Sequence, residues 1–499
     1  MATALFSCTA SRQSFDPEHK YSAKQLQNDY HIFRGVLEES HPGLYWFTSK
    51  DSMNYYFDDG YRRITDSMTE PEFRNILAYV TNKIHCGHTA VKYSKQYTRY
   101  IDTAKLKVFP LSFRVWPDSL VVIGNLNIDD SLLNYGTIVT AIDGHPARQI
   151  TDSLLNYISS DGYSINGKYQ SLSNRGAFGI LYRNIMGMGD KVSVTYLDNQ
   201  GNEQTTVVPV FNPGGKDTSK VEDALAGKPV KPISKIKLKK PLLKLPPLFG
   251  AKYVQIDTSL SSAYMTLHTF ARGNKLRPFF RKTFRTLQQR HIQSLVVDVR
   301  TNGGGDAGIS TLLTRYLATH KFKLADSLYA VHKSSHYGKY IQWQPFYWSL
   351  MQFVTHKSSS DGNYHFGYFE RHFFHPKKSN HFNGDIYIIT GGNSFSATTL
   401  FVKALQGQSN VKVIGEETGG GAYGNNAWMI PDVVLPITKV RFRLPKFRLV
   451  MDESLVKEGR GIIPDIEVAP TRETIRKGID PKAAVIRRLI MHKIGVAQQ

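Results

Sequence analysis

Cysteine is almost missing from these 499 residues, with Cys8 and Cys86 the two present. Two thiols exclude a disulfide framework and leave the redox compartment open. Long apolar runs are missing as well. No stretch approaches the roughly 20 apolar residues needed to cross a bilayer, so the body of the chain is not transmembrane. Acidic residues are in deficit, 41 Asp and Glu against 63 Lys and Arg, for a net charge of +22. That surplus invites a nucleic-acid partner, but no nucleic-acid module is visible and the basic residues are spread along the chain. We therefore read the charge as a surface property and expect no nucleic acid. The 41% hydrophobic and 12% aromatic content is that of a soluble globular protein long enough for two to four domains.

After a polar start over residues 1–20, Leu26, Tyr30, Phe33 and Leu37 recur at helical spacing and predict an amphipathic helix over 23–39. A second helix is expected over 51–64. Thr69 and Glu72 form a capping-box pattern ahead of Phe73, Ile76, Leu77 and Val80, which predicts a third. It runs into Ile84-His85-Cys86-Gly87-His88-Thr89, where glycine breaks the pattern and 89–93 reads as a strand. Residues 21–107 are thus a helical domain.

From 108 to 211 short strands dominate. Strands are expected at 120–123 and 137–142, a helix at 147–158, and a hairpin turning at Asn199-Gln200-Gly201-Asn202. The stretch 159–176 interrupts this β-rich region. Residues 212–250 hold six prolines and nine lysines against three acidic residues, which marks a basic linker or surface loop. From 251 to 499 strands at 253–256 and 294–299 alternate with helices at 274–290 and 308–319, the pattern of an α/β domain. Its aromatic-rich insertion, 327–382, reads as a lid or substrate wall, though core packing or exposure explains any single ring equally well.

Two stretches carry chemistry. The run 385–390 reads as a buried strand and 396–405 has helical spacing, so Gly391-Gly392-Asn393-Ser394-Phe395-Ser396-Ala397 joins a strand to a helix start. A serine there stands beside free N–H groups and the positive end of a helix dipole, as a nucleophile requires. The same residues also cap ordinary helices, and the stretch alone leaves both readings open. The second stretch, Leu295-Val296-Val297-Asp298-Val299-Arg300-Thr301-Asn302-Gly303-Gly304-Gly305, is an apolar strand ending in three glycines. Such glycines let backbone approach a ligand and aim N–H groups at developing negative charge. His85-Cys86-Gly87-His88 has the look of a metal half-site, but no second Cys/His pair with zinc spacing follows, so no metal is expected.

Taken together, these stretches resemble the tail-specific, C-terminal processing and tricorn-like serine proteases. The resemblance rests on Asp298-x-Arg300-x-Asn302-x-Gly304-Gly305, on Ser396-Ala397 after Gly391-Gly392, on Val413-Ile414-Gly415-Glu416, and on Gly461-Ile462-Ile463-Pro464-Asp465-Ile466-Glu467-Val468. It implies a crotonase-like (ClpP-like) α/β spiral preceded by a PDZ-like β-rich domain, the latter echoed by residues 136–146. It also implies acyl transfer from Ser396 to a peptide or protein substrate without cofactors, with Gly304 and Ala397 as oxyanion donors. The processing branch takes its base from a lysine about 25 residues after the serine, and this chain has none between Lys412 and Lys439. The tricorn-like branch uses a histidine followed by a small hydroxyl residue, which His88-Thr89 resembles. The resemblance therefore implies His88 as base, with His85 as fallback, and Glu458 as its carboxylate, with Glu453 as alternative.

Leu5-Phe6-Ser7-Cys8 resembles the end of a bacterial lipoprotein signal, with Cys8 as the lipidated residue. The expectation is a serine endopeptidase of a bacterial envelope, acting on polypeptides such as C-terminal tails, with membrane contact only through that lipid. An inactive PDZ-type peptide-binding scaffold is the alternative, since Thr399 stands where the family usually has glutamate. An esterase on small substrates is a third reading.

Overall fold

The computed structural model describes residues 15–127, 129–213, 250–342 and 345–497. Cys8 and most of the basic stretch 212–250 lie outside them. Three helices, Ala23–Ser40, Lys50–Arg62 and Glu70–Asn82, build the first region. Ser22 caps the first helix, and Thr69 with Glu72 closes the capping box expected of the third. Their apolar faces meet around Tyr30, Phe33, Phe57 and Phe73. That core is shared: Val433, Leu435, Phe442 and Leu444, from the far end of the chain, complete it. The expected strand at 89–93 shrinks to Val91–Lys92, which pairs with Arg441–Arg443 and ties the helical region to the last domain.

Residues 111–209 form a sheet with the path Leu111–Val115, Leu120–Asn125, Ile138–Ile142, Lys191–Leu197, Glu203–Pro209, every pairing antiparallel. The last two strands are the expected hairpin. The interrupting stretch folds into Ile165–Ser173, followed by a second helix, Ala177–Ile185. Leu172, Phe178 and Tyr182 from these helices bury against the sheet.

The last domain is centred on a six-stranded sheet in the order Lys252–Asp257, Ser262–Leu267, Ser294–Asp298, Asp385–Thr390, Val411–Gly415, Ile466–Glu467. The first pair is antiparallel and the others are parallel. Helices cover both faces, one side closing on Phe280, Phe284, Leu313 and Phe401, the other on Ile486 and Ile490 of the Pro481–Ala497 helix. The chain is thus a mixed α/β protein. Ser262–Leu267 carries no alternating strand signal in the sequence because it is buried along most of its length. The segment 327–382 contributes Ser327–Ala330 and two short strands to a five-stranded sheet shared with Arg448–Val450 and Gly424–Asn425. Phe366 belongs to a buried core cluster, and with Tyr368, Phe369 and Phe374 it also walls a cavity.

Candidate active site

The parallel strand Asp385–Thr390 delivers the chain to the carboxyl edge of the sheet, where ligands of open α/β sheets collect. The turn after it is held tightly. Ser394 Oγ donates to the Val299 carbonyl at 2.8 Å and accepts the Gly391 N–H at 3.2 Å. The Phe395 N–H donates to the Asn302 carbonyl at 3.2 Å, and the Gly420 N–H to the Ser394 carbonyl at 3.2 Å. Ser396 then takes φ 59° and ψ −122° at the N-cap of the Ala397–Leu405 helix. That backbone is unfavourable for a residue with a side chain, and such strain concentrates at functional sites. Ser396 and Ala397 open onto a cavity of about 1200 Å³.

The glycine turn lies directly against this elbow. Gly304 has φ +97°, and a Cβ there would sit 2.7 Å from both the Phe395 carbonyl oxygen and Ser396 Cβ. Its N–H donates to Asn302 Oδ1 at 2.9 Å, so of the two expected oxyanion donors Gly304 is already engaged. No backbone partner takes the Ala397 N–H among the described residues. We expect Gly304→Ala to slow reaction of Ser396 with a fluorophosphonate by at least about 10²-fold, because the methyl must displace the elbow. Gly303→Ala is the control, since its Cβ would meet nothing within 4 Å, and its rate should stay within about twofold of wild type.

The other motif residues brace the site from behind. Arg300 pairs with Asp298 at 3.0 Å and Asp480 at 2.8 Å, and Tyr264 donates to Asp298 at 2.7 Å. Glu416 accepts from Lys482 at 2.8 Å and pairs with Arg114 of the preceding domain. Lys482 Nζ also donates to the Thr390 carbonyl at 2.8 Å.

His88 arrives from the helical region. Its ring is buried against Phe395, the neighbour of Ser396, with centroids 4.5 Å apart. Neither ring nitrogen has a hydrogen-bond partner among the described residues. Burial, with the nearby charge of Arg443, pushes its pKa down to about 3, so the imidazole is neutral. Thr89 beside it is committed elsewhere: Gly43 N–H donates to His41 Nδ1 at 3.2 Å, which leaves His41 Nε2–H to donate to Thr89 Oγ1 at 2.8 Å. His85 turns away, donating from Nδ1 to the Gly162 carbonyl at 2.9 Å.

The carboxylate beside His88 is Asp161. Its Oδ1 lies 3.9 Å from His88 Nδ1 and accepts the Gly87 N–H at 2.8 Å. Burial pushes this carboxyl up to about 7, although N–H bonds from Gly87 and Gly421 oppose the shift. Glu458 and Glu453 are both exposed, and neither carboxylate is hydrogen-bonded to His88. The backbone next to Glu458 does reach the site region, since Tyr163 N–H donates to the Gly459 carbonyl at 2.7 Å. Asp161 is not marked in the sequence, because it sits in the stretch interrupting the β-rich region, in no motif. The Asp161-Gly162 turn was the only local signal. Among the described residues no group of three His, Cys, Asp or Glu side chains is placed to hold a metal ion, and no helix is long and apolar enough to cross a membrane.

Comparison with known proteins fits this geometry. Residues 261–468 match the model of peptidase family S41. No curated protein sequence matches the chain. Among solved structures, mature CPAF complexed with lactacystin superposes with a TM-score of 0.64 at 13% identity, covering 94% of this chain and 99% of that one. Mature CPAF gives 0.63 at 13% identity over 94% and 98%. At such identity the likeness concerns the fold. Residues 261–468 are therefore a peptidase family S41 domain, so the chain carries the serine-peptidase domain of that family.

Proposed function

We propose that the chain is an endopeptidase of the tricorn-like kind, working through an acyl-enzyme on Ser396. The observation that carries this reading is the strained elbow that places Ser396 at a helix N-terminus, on a large cavity and against the glycine turn. His88 takes the hydroxyl proton as Oγ attacks the peptide carbonyl, then returns it to the leaving amine. Water, deprotonated in turn by His88, releases the acyl group. Asp161, in place of the glutamates suggested by the resemblance, stabilises the imidazolium. The serine–histidine hydrogen bond forms when substrate is bound, as is common for such pairs. The Ala397 N–H supplies one oxyanion donor, and Gly304 supplies the other once its N–H leaves Asn302. The parallel sheet with its helices is consistent with a crotonase-like spiral, and the antiparallel sheet at 111–209 with a PDZ-like module that presents C-terminal tails.

Location at a bacterial envelope, through a lipid on Cys8, is proposed from Leu5-Phe6-Ser7-Cys8 alone. Cys8→Ser should then release the protein from membrane fractions. Labelling of the intact protein by a fluorophosphonate, abolished in Ser396→Ala, is the expected outcome for the nucleophile. Absence of labelling in the wild type would favour the inactive scaffold instead.

A further inference from the structure

One wall of the cavity beside Ser396 departs from ordinary backbone geometry. Trp428 and Met429 both line it and take φ of 64° and 46° in succession. Left-handed backbone is unfavourable for bulky residues and persists only where the surroundings enforce it, as at ligand clamps. Here Trp428 is fixed edge-on to Phe369 at 4.5 Å, and the Lys446 N–H donates to the Met429 carbonyl at 3.1 Å. Three residues earlier, Asn425 is 3% exposed and lines the same cavity, and its Oδ1 has no hydrogen-bond partner among the described residues. A buried carbonyl oxygen without a donor is unfavourable unless a ligand supplies one.

Part of the cavity lining is apolar. Leu400 lies one helical turn beyond Ser396, about 5.4 Å along the axis, and lines the cavity with Phe366 and Leu449. That spacing suits the side chain of a residue flanking the bond under attack. The charged side chains of the lining are engaged with the protein or exposed: Arg272 pairs with Asp306, Arg315 donates to the His375 carbonyl, Asp432 pairs with Lys92 and Arg441, and Arg277 is exposed.

We propose that this cavity selects polypeptides carrying a large apolar side chain, aromatic in preference, next to the scissile bond. Trp428 and Met429 form the wall against which that side chain packs, and Asn425 Oδ1 accepts a main-chain N–H of the same bound segment. The inference rests on Ser396 being the nucleophile.

The test uses internally quenched peptides of one sequence, varied at a single position among Phe, Leu, Gly and Asp, with the cleavage point mapped by mass spectrometry. The full-length protein should cut next to Phe or Leu with kcat/KM about 10²-fold above the Gly and Asp peptides. Trp428→Ala should lower the Phe-over-Gly ratio at least about tenfold, and Asn425→Ala should raise KM about tenfold for every peptide cut. Equal cleavage of the four peptides by the wild type overturns the pocket while leaving Ser396-dependent fluorophosphonate labelling intact. An unchanged ratio in Trp428→Ala overturns the role of the wall. Failure of the wild type both to label and to cut overturns the assignment of the serine instead.

Discussion

His88→Ala is expected to lower the acylation rate by at least about 10³-fold, measured by stopped-flow release from an activated peptide ester. The serine hydroxyl is a weak nucleophile until its proton has somewhere to go, and His88 is packed beside the elbow with neither ring nitrogen hydrogen-bonded among the described residues. Removing it leaves substrate binding and the oxyanion donors. His85→Ala should cost less than about tenfold, because that ring already donates to the Gly162 carbonyl. Lys482 offers the sharpest contrast, since it is a buried lysine whose pKa is lowered chiefly by burial, and it lies near the strand end that carries the elbow. Its ammonium donates to Glu416 and to the Thr390 carbonyl, an arrangement that stabilises the charged form against that burial. Near wild-type activity in His88→Ala, together with loss of labelling in a folded Lys482→Met, would transfer the role of base to the lysine.

Asp161→Asn should separate activity from stability. The carboxyl titrates near 7 in the folded protein, against an ordinary 3.8, because burial disfavours its charge. Above pH 7 it is a carboxylate and, in the proposed mechanism, stabilises the imidazolium of the attack. As pH falls through 7 it takes up a proton and that help is lost, so the rate should fall on the acid side with a midpoint near 7 rather than near the 3 of His88. In Asp161→Asn this limb should vanish and kcat/KM at pH 8 should drop by about 10²–10⁴-fold. Glu458→Gln, a change at an exposed side chain, should stay within about threefold.

Stability moves the other way. A buried carboxyl whose folded pKa lies above its unfolded value opposes folding once pH exceeds 3.8, and the cost levels off above 7. The asparagine removes that cost. Asp161→Asn should therefore be more stable than the wild type by on the order of 1–4 kcal/mol at pH 8 and nearly equal to it at pH 4, read from denaturant midpoints. An active Asp161→Asn with the acid limb intact would remove Asp161 from the mechanism.

Much of this protein is local, and what is local was legible in the residues. The third helix begins at its capping box, because Thr69 and Glu72 satisfy N–H groups within a single turn. The Ser396 elbow and the Gly304 turn were readable for the same reason, each being a strand end, glycines and either a helix start or a bare backbone within a dozen residues. Their meeting across the sheet edge follows from adjacent parallel strands, Ser294–Asp298 beside Asp385–Thr390. Tertiary structure alone decided what surrounds them. Asp161 reaches His88 because the stretch interrupting the β-rich region packs against the catalytic domain, with Ser164 and Asn166 donating to the carbonyls of Thr418 and Glu417. Packing of that kind leaves no periodicity or motif in the chain. The carboxylate suggested by resemblance, Glu458, lies on an exposed loop whose backbone rather than side chain touches that stretch. Burial is likewise a property of the assembled fold, and it moves His88 and Asp161 in opposite directions, since removing water penalises an imidazolium and a carboxylate alike and so favours the neutral form of each.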